Sequence, residues 1–305
     1  MPLPNSIQRE YPFNQNLYKL NNGFRINYVD HGEKDNFPTI FLHGNPTWSF
    51  FYRKLILSLK DTYRCIAPDH LGCGLSDKPS SAEFKYNLEE HSNNLRQLVN
   101  TLGFKRFNLV VHDWGGAIGL SAFREEFERI NKLVLLNTAA FISSDVPKRI
   151  RFCRIPIIGE IFVRLLNGFA WPATWMATKK GISKEIKNGF LYPYKDWKSR
   201  LAVWKFVQDI PLEEYHSTKK FLSETEKSLN QLYNTKILAL DKKHFLKVKT
   251  KVLDGRIFIT GKVDEPEEKL KITKIAWETK GARSVRNDIK ISEKFNFKQS
   301  AKDLL

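Results

Sequence analysis

The first residue that could do chemistry is Asp113. Residues 107–116 form an apolar run, with Leu109, Val110 and Val111 at its centre, that stops at His112, Asp113, Trp114, Gly115 and Gly116. A continuous β-branched run of this kind predicts a parallel strand covered on both faces, and residues 117–122 read as the helix that follows. An aspartate between such a strand and helix fits a nucleophile elbow, in which a strained turn exposes the side chain beside helix N-terminal amides, with aspartate in place of the usual serine. The paired glycines leave room for a close backbone turn. A second reading of the same residues makes Asp113 the N-cap of that helix and nothing more.

Residues 38–49 offer a partner. Ile40, Phe41 and Leu42 end in His43, Gly44, Asn45 and Pro46, a loop at the carboxyl end of another predicted strand, where open parallel sheets present their ligand-binding groups. If the two strands run parallel, the Asn45 side-chain amide and backbone N–H point at the pocket that holds Asp113 and Trp114.

These blocks resemble the haloalkane dehalogenase branch of the α/β-hydrolase fold. Residues 11–13, 27–32, 68–79, 135–141 and 206–211 extend the likeness, and together they are most similar to the β-lactone decarboxylases of olefin biosynthesis. The resemblance covers about residues 1–232. It implies an α/β class with a parallel-sheet core (1–141), a helical cap and return helix (142–232), and Asp113 as a nucleophile that forms an alkyl-enzyme ester. Asn45 and Trp114 would grip the leaving group, and backbone amides at those two positions would form the oxyanion hole. It also implies a small apolar substrate, a haloalkane or a β-lactone, and no cofactor. An epoxide hydrolase shares His112, Asp113 and Trp114, but Asn45 points to the dehalogenase branch.

The same resemblance exposes a gap. Hydrolysis of the ester asks for a histidine held by an acid, and the strand end where some relatives keep that acid carries Asn137 here. Downstream of the cap only His216 and His244 remain; His216 lies in a polar helical stretch, and neither sits in the expected context. General base and acid stay unassigned. Residues 236–241 read as a solvated helix end rather than a strand bearing an acid, so the sheet is expected to lack its usual last strands.

Residues 233–305 follow a different logic. Residues 245–253 and 256–263 alternate about Asp254 and Gly255, which predicts a hairpin; residues 264–277 open with acidic residues and Pro266 and predict a helix ending near Gly281; residues 285–291 predict a last strand. A helix around residues 235–240 precedes them. This arrangement resembles a BON domain over about residues 234–292, a small α+β module, which implies a phospholipid surface as partner. Two partial likenesses that meet near residue 233 without a Pro- or Gly-rich linker also fit a non-catalytic fusion or truncation product.

Composition bounds the rest. The chain has 305 residues, 42% of them hydrophobic, enough for a substantial core. Cys65, Cys73 and Cys153 show no metal or redox spacing, no P-loop or dinucleotide fingerprint occurs, and residues 1–10 lack an apolar signal core, so no metal and no nucleotide cofactor are implied and a cytoplasmic location is expected. The net charge of +17 divides as +9 over residues 1–235 and +8 over residues 236–305, which reads as a general lysine bias rather than a nucleic-acid stripe. Residues 17–30 predict an opening hairpin turning at Gly23, and residues 87–102 an amphipathic helix closed by Gly103. The many aromatics of residues 142–222 are expected to build an apolar chamber over the pocket.

Overall fold

A computed structural model describes residues 3–142, 146–177, 181–240, 249–253, 256–263 and 284–291. The chain divides into two compact units, residues 1–131 with 138–229, and residues 132–137 with 230–305.

The first unit is built on five strands, β1 (Asn16–Lys19), β2 (Arg25–His31), β3 (Phe37–Leu42), β4 (Tyr63–Pro68) and β5 (Phe107–Asp113), in the order β1-β2-β4-β3-β5. The β1–β2 hairpin and the β2–β4 pair are antiparallel, whereas β4–β3 and β3–β5 are parallel. The central strands are apolar because they are covered on both faces: Ile40, Phe41, Leu42, Leu109 and Val111 are all fully buried. Register aligns Leu42 with Val111, so the loops after β3 and β5 leave the sheet side by side.

Helices Arg53–Leu59, Leu88–Thr101 and Trp114–Ala122 pack in this unit. The second starts as its sequence dictates. The Asn87 side chain accepts the Glu90 N–H, Glu89 and Glu90 face the positive helix end, and Leu88, His91, Leu95, Leu98 and Val99 form the buried face. Gly103, at φ +74°, closes it.

Helices between residues 146 and 208 gather around a small core of Cys153, Val163, Ala170, Tyr194, Val203 and Val207, and the following helix, Ser217–Ser228, returns to pack on Leu88–Thr101 and Trp114–Ala122. Hydrogen bonds tie the cap to the loops and helix start below it. The Trp48 indole donates to Gly189 O (3.1 Å), the Tyr194 hydroxyl donates to Thr47 O (3.0 Å), and Asp209 Oδ2 accepts the Leu88 N–H (2.8 Å). Of the cap aromatics, Phe206 lies against Trp114, Tyr194 belongs to the cap core, and Phe152, Trp171, Trp175 and Trp197 are exposed.

The second unit takes in residues 132–137 of strand β6 (Ile130–Thr138) and adds β7 (Lys236–Leu240), β8 (Lys249–Leu253), β9 (Arg256–Val263) and β10 (Ser284–Ile291), in that order. β6 and β7 run parallel, β7–β8 and β8–β9 antiparallel, and β9–β10 parallel. The expected hairpin is present, with Leu253 opposite Arg256. The helix expected around residues 235–240 is instead β7. A five-residue apolar run has no period long enough to separate the two conformations, and the free edge of β6 decides in favour of the strand. Asp241, His244, the turn at Asp254 and Gly255, and the helix expected over residues 264–277 lie outside the described residues.

Tyr194→Phe leaves the Thr47 carbonyl without its donor inside a packed interface. Urea unfolding followed by tryptophan fluorescence should record a loss of about 1 kcal/mol, the usual net worth of one such bond.

Candidate active site

Asp113 has φ 52° and ψ −125°, a conformation L-residues avoid. Such a residue costs on the order of 1–3 kcal/mol and persists only where its surroundings enforce it. The enforcement is visible. A Cβ on Gly44 would stand 2.2 Å from Asp113 Cβ, and one on Gly116 would stand 1.9 Å from Thr138 Oγ1, so neither position admits a side chain. The Thr138 hydroxyl donates to Asp113 O (2.5 Å) and fixes the turn from the other side.

Asp113 occupies the N-cap position of helix Trp114–Ala122, yet its side chain makes no capping bond. Oδ1 instead accepts the Asn45 backbone N–H at 2.7 Å. Of the two readings open in the sequence, the bare N-cap therefore fails, and the carboxylate is aimed across the crevice between the β3 and β5 loops. Oδ1 is fixed by a donor; Oδ2 accepts no hydrogen bond from the described residues.

Asn45 and Trp114 flank this carboxylate. The Asn45 Nδ2 donates to Val203 O (3.0 Å), which leaves its second N–H for another acceptor, and its Oδ1 is buried with no partner among the described residues. The Trp114 ring lies 5.4 Å from the Phe206 ring. Val203 and Phe206 belong to one cap helix, Leu201–Gln208, which thus roofs the elbow. The Trp114 N–H heads its helix, where the macrodipole favours negative charge. Sequence reading missed Thr138, Val203 and Asp69. Asp69 is fully buried and holds the loops in place, accepting the Ser49 N–H (2.7 Å), the Leu75 N–H (2.9 Å) and the Asn27 side-chain amide (3.0 Å). The signal available for it was an aspartate opening a loop with two glycines.

Six of the seven histidines have other work. His43 contacts Gly44 O through Nδ1 (3.0 Å) and accepts the His70 N–H through Nε2 (3.0 Å); His70 contacts His43 O (3.0 Å); His91 stacks on Phe206 (4.7 Å); His112 stacks on Phe51 (4.5 Å). His31 meets the edge of Phe13, and His216 caps helix Ser217–Ser228 by accepting the Thr218 N–H. No histidine hydrogen-bonds the Asp113 carboxylate among the described residues. His244 is the seventh.

Burial drives the three neighbouring core imidazoles of His43, His70 and His91 to the neutral form. It lowers His43 to about 3 and takes His70 and His91 well below the usual histidine value.

A parallel sheet with a strand, elbow and helix carrying a carboxylate defines the α/β-hydrolase class. Residues 38–157 match the profile of the alpha/beta hydrolase fold, and residues 233–293 match the BON domain. The cis-3-alkyl-4-alkyloxetan-2-one decarboxylase of Shewanella oneidensis is 39% identical over 223 residues, 72% of this chain and 69% of that protein. Haloalkane dehalogenase 2 of Mycobacterium tuberculosis is 43% identical over 128 residues, 42% of this chain and 43% of that protein. Among solved structures, the haloalkane dehalogenase DbeA of Bradyrhizobium elkani superposes with a TM-score of 0.70 at 19% identity, covering 91% of this chain and 89% of that one, which is a likeness of fold. The chain belongs to the α/β-hydrolase family of these decarboxylases and dehalogenases, and it carries a C-terminal BON domain.

The buried imidazoles set a pH dependence. The unfolded chain takes up protons below its histidine pKa of about 6.5 while the folded core refuses them, so stability is fully present above that pH and falls as pH drops toward 3. For His43, held at about 3, the cost is about 2 kcal/mol at pH 5. His91→Phe, which keeps the stack on Phe206, should reduce the stability lost between pH 7.5 and pH 5, as read by urea melts at the two pH values. Gly44→Ala, which drives a methyl into Asp113, should cut any reaction at Asp113 at least 100-fold while the protein still folds, as read by single-turnover kinetics and circular dichroism.

Proposed function

We propose that Asp113 is a nucleophile toward saturated carbon and that the substrate class its surroundings serve best is a β-lactone bearing alkyl chains. The observation that carries this is the Asp113 carboxylate itself, held at Oδ1 by the Asn45 N–H, detached from its own helix and left with Oδ2 to attack. Attack by Oδ2 on the ring carbon bonded to the lactone oxygen forms an ester to Asp113 and breaks the ring C–O bond, whose electron pair becomes a carboxylate on the substrate. On this reading the remaining Asn45 N–H and the Trp114 indole N–H receive that oxygen.

Regeneration of Asp113 separates the two substrate classes. With a haloalkane the C–X bond breaks, halide leaves, and the alkyl ester must then be hydrolysed by a water that an imidazole activates. With a β-lactone the new carboxylate lies β to the ester carbon. Loss of carbon dioxide sends the C–C electron pair into a double bond and expels Asp113 as carboxylate, with no water and no base. Six of the seven histidines being held elsewhere supports the second route, as does the decarboxylase named among the relatives. An epoxide hydrolase would draw on cap tyrosine hydroxyls; that of Tyr194 is spent on Thr47 O.

The test uses 1-bromooctane and a cis-dialkyl β-lactone. The bromide should leave an octyl adduct on Asp113, seen by intact mass and peptide mapping, with no sustained halide release, while the lactone should give alkene and carbon dioxide over many turnovers. Asp113→Asn should abolish both. Sustained bromide turnover that His244→Gln stops would overturn the base-free route, and no reaction with either compound would overturn the nucleophile.

A further inference from the structure

The outer face of the cap is inverted. Along the helical stretch from Ile158 to Leu165, Gly159 and Val163 turn inward, and Val163 is fully buried in the cap core. Ile158, Ile161 and Leu165, spaced at i, i+3 and i+7, turn outward to solvent, and Ile157 before them is 72% exposed. The next helix, Ala170–Met176, repeats the arrangement: Ala170 and Thr174 are buried, and Trp171 and Trp175 are exposed, the latter by 55%. A soluble helix ordinarily shows its polar face to water. Two successive helices that do the reverse make an apolar surface with no partner among the described residues.

Charge identifies the occupant. Residues 146–200 carry twelve Lys and Arg against three Asp and Glu, a net +9. The first 235 residues also sum to +9, so the rest of that stretch is neutral and the basic excess belongs to this one segment. The expectation of an evenly spread lysine bias is overturned there. Exposed Lys148, Arg149 and Lys184 stand on helices beside the apolar ones, and the Lys187 ammonium lies 4.6 Å from the Trp171 ring centre. Aliphatic side chains flanked by interfacial tryptophans and lysines match the chemistry of an anionic bilayer surface, apolar within and negative at its rim. A nucleic acid would leave the isoleucines and leucines unused. Among the described residues no helix is long and apolar enough to cross a membrane, so the contact would be made from one side.

We propose that this face of the cap docks on an anionic phospholipid surface, with the side chains from Ile157 to Trp175 entering the headgroup layer and the basic residues resting on the phosphates. All of these residues belong to the first compact unit.

Vesicle co-sedimentation of the full chain tests it, with phosphatidylglycerol and phosphatidylcholine in equal parts compared with phosphatidylcholine alone. Binding should be at least tenfold tighter to the anionic vesicles and should fall at least tenfold between 50 and 500 mM NaCl. The triple variant Ile158→Ser, Ile161→Ser, Leu165→Ser should bind at least tenfold more weakly. Its melting temperature should be unchanged, because the three side chains already face water. Trp171→Phe with Trp175→Phe should abolish quenching of tryptophan emission by brominated lipid. Asp113→Asn should bind as the parent does. Wild-type vesicle binding by the triple variant would place the contact on the BON domain and overturn the proposal. So would binding to an RNA duplex in place of vesicles, or a change in oligomer mass on substitution with no vesicle binding.

Discussion

The hydrogen bond from the Asn45 amide to Asp113 Oδ1 is the contact the site depends on. It spans 68 residues of sequence and exists because β3 and β5 pair in parallel with Leu42 opposite Val111, which brings residues 45 and 113 out at the same end of the sheet. A left-handed aspartate is intrinsically unfavourable, and this one is kept by close-packed backbone at Gly44 and Gly116 and by the Thr138 hydroxyl. Packing that admits no side chain at either glycine is the source of the geometry. The one donor then differentiates two chemically equivalent oxygens, Oδ1 held by the Asn45 N–H and Oδ2 with no donor among the described residues.

The cap packs over the site. Val203 takes one N–H of Asn45, Phe206 covers Trp114 and His91, and Tyr194 and Trp48 lock cap to loop. Beneath lies a layer of neutral imidazoles and one fully buried carboxylate, Asp69, satisfied by two backbone amides and an asparagine. Such a layer supplies polar contacts without competing for protons at neutral pH, because burial penalises the charged imidazole at each position.

Much of this was legible because local pattern and tertiary environment agree. The β5 run, the hairpin at Gly23, the Asn87 cap and the alternation about Asp254 each specify one structure and were found as read. The side-chain direction of Asp113 was not decidable locally, since an aspartate before a helix reads equally as a cap; the bond from the Asn45 N–H shows that it leaves its own helix. Residues 236–240 failed for the opposite reason, their strand being conferred by the partner β6. The outward apolar face of the cap was hidden because helical spacing identifies a stripe but not which side of it meets the core. The basic excess was hidden by summing over 235 residues what one 55-residue segment carries.

The most direct measurement is the crystallographic density at residue 113 after reaction with 1-bromooctane. The account predicts an octyl chain bonded to Oδ2, with Oδ1 still within about 3 Å of the Asn45 nitrogen, a normal hydrogen-bond distance. Continuous density from Oδ1, or an unmodified carboxylate turned onto the amides of its own helix, would contradict it.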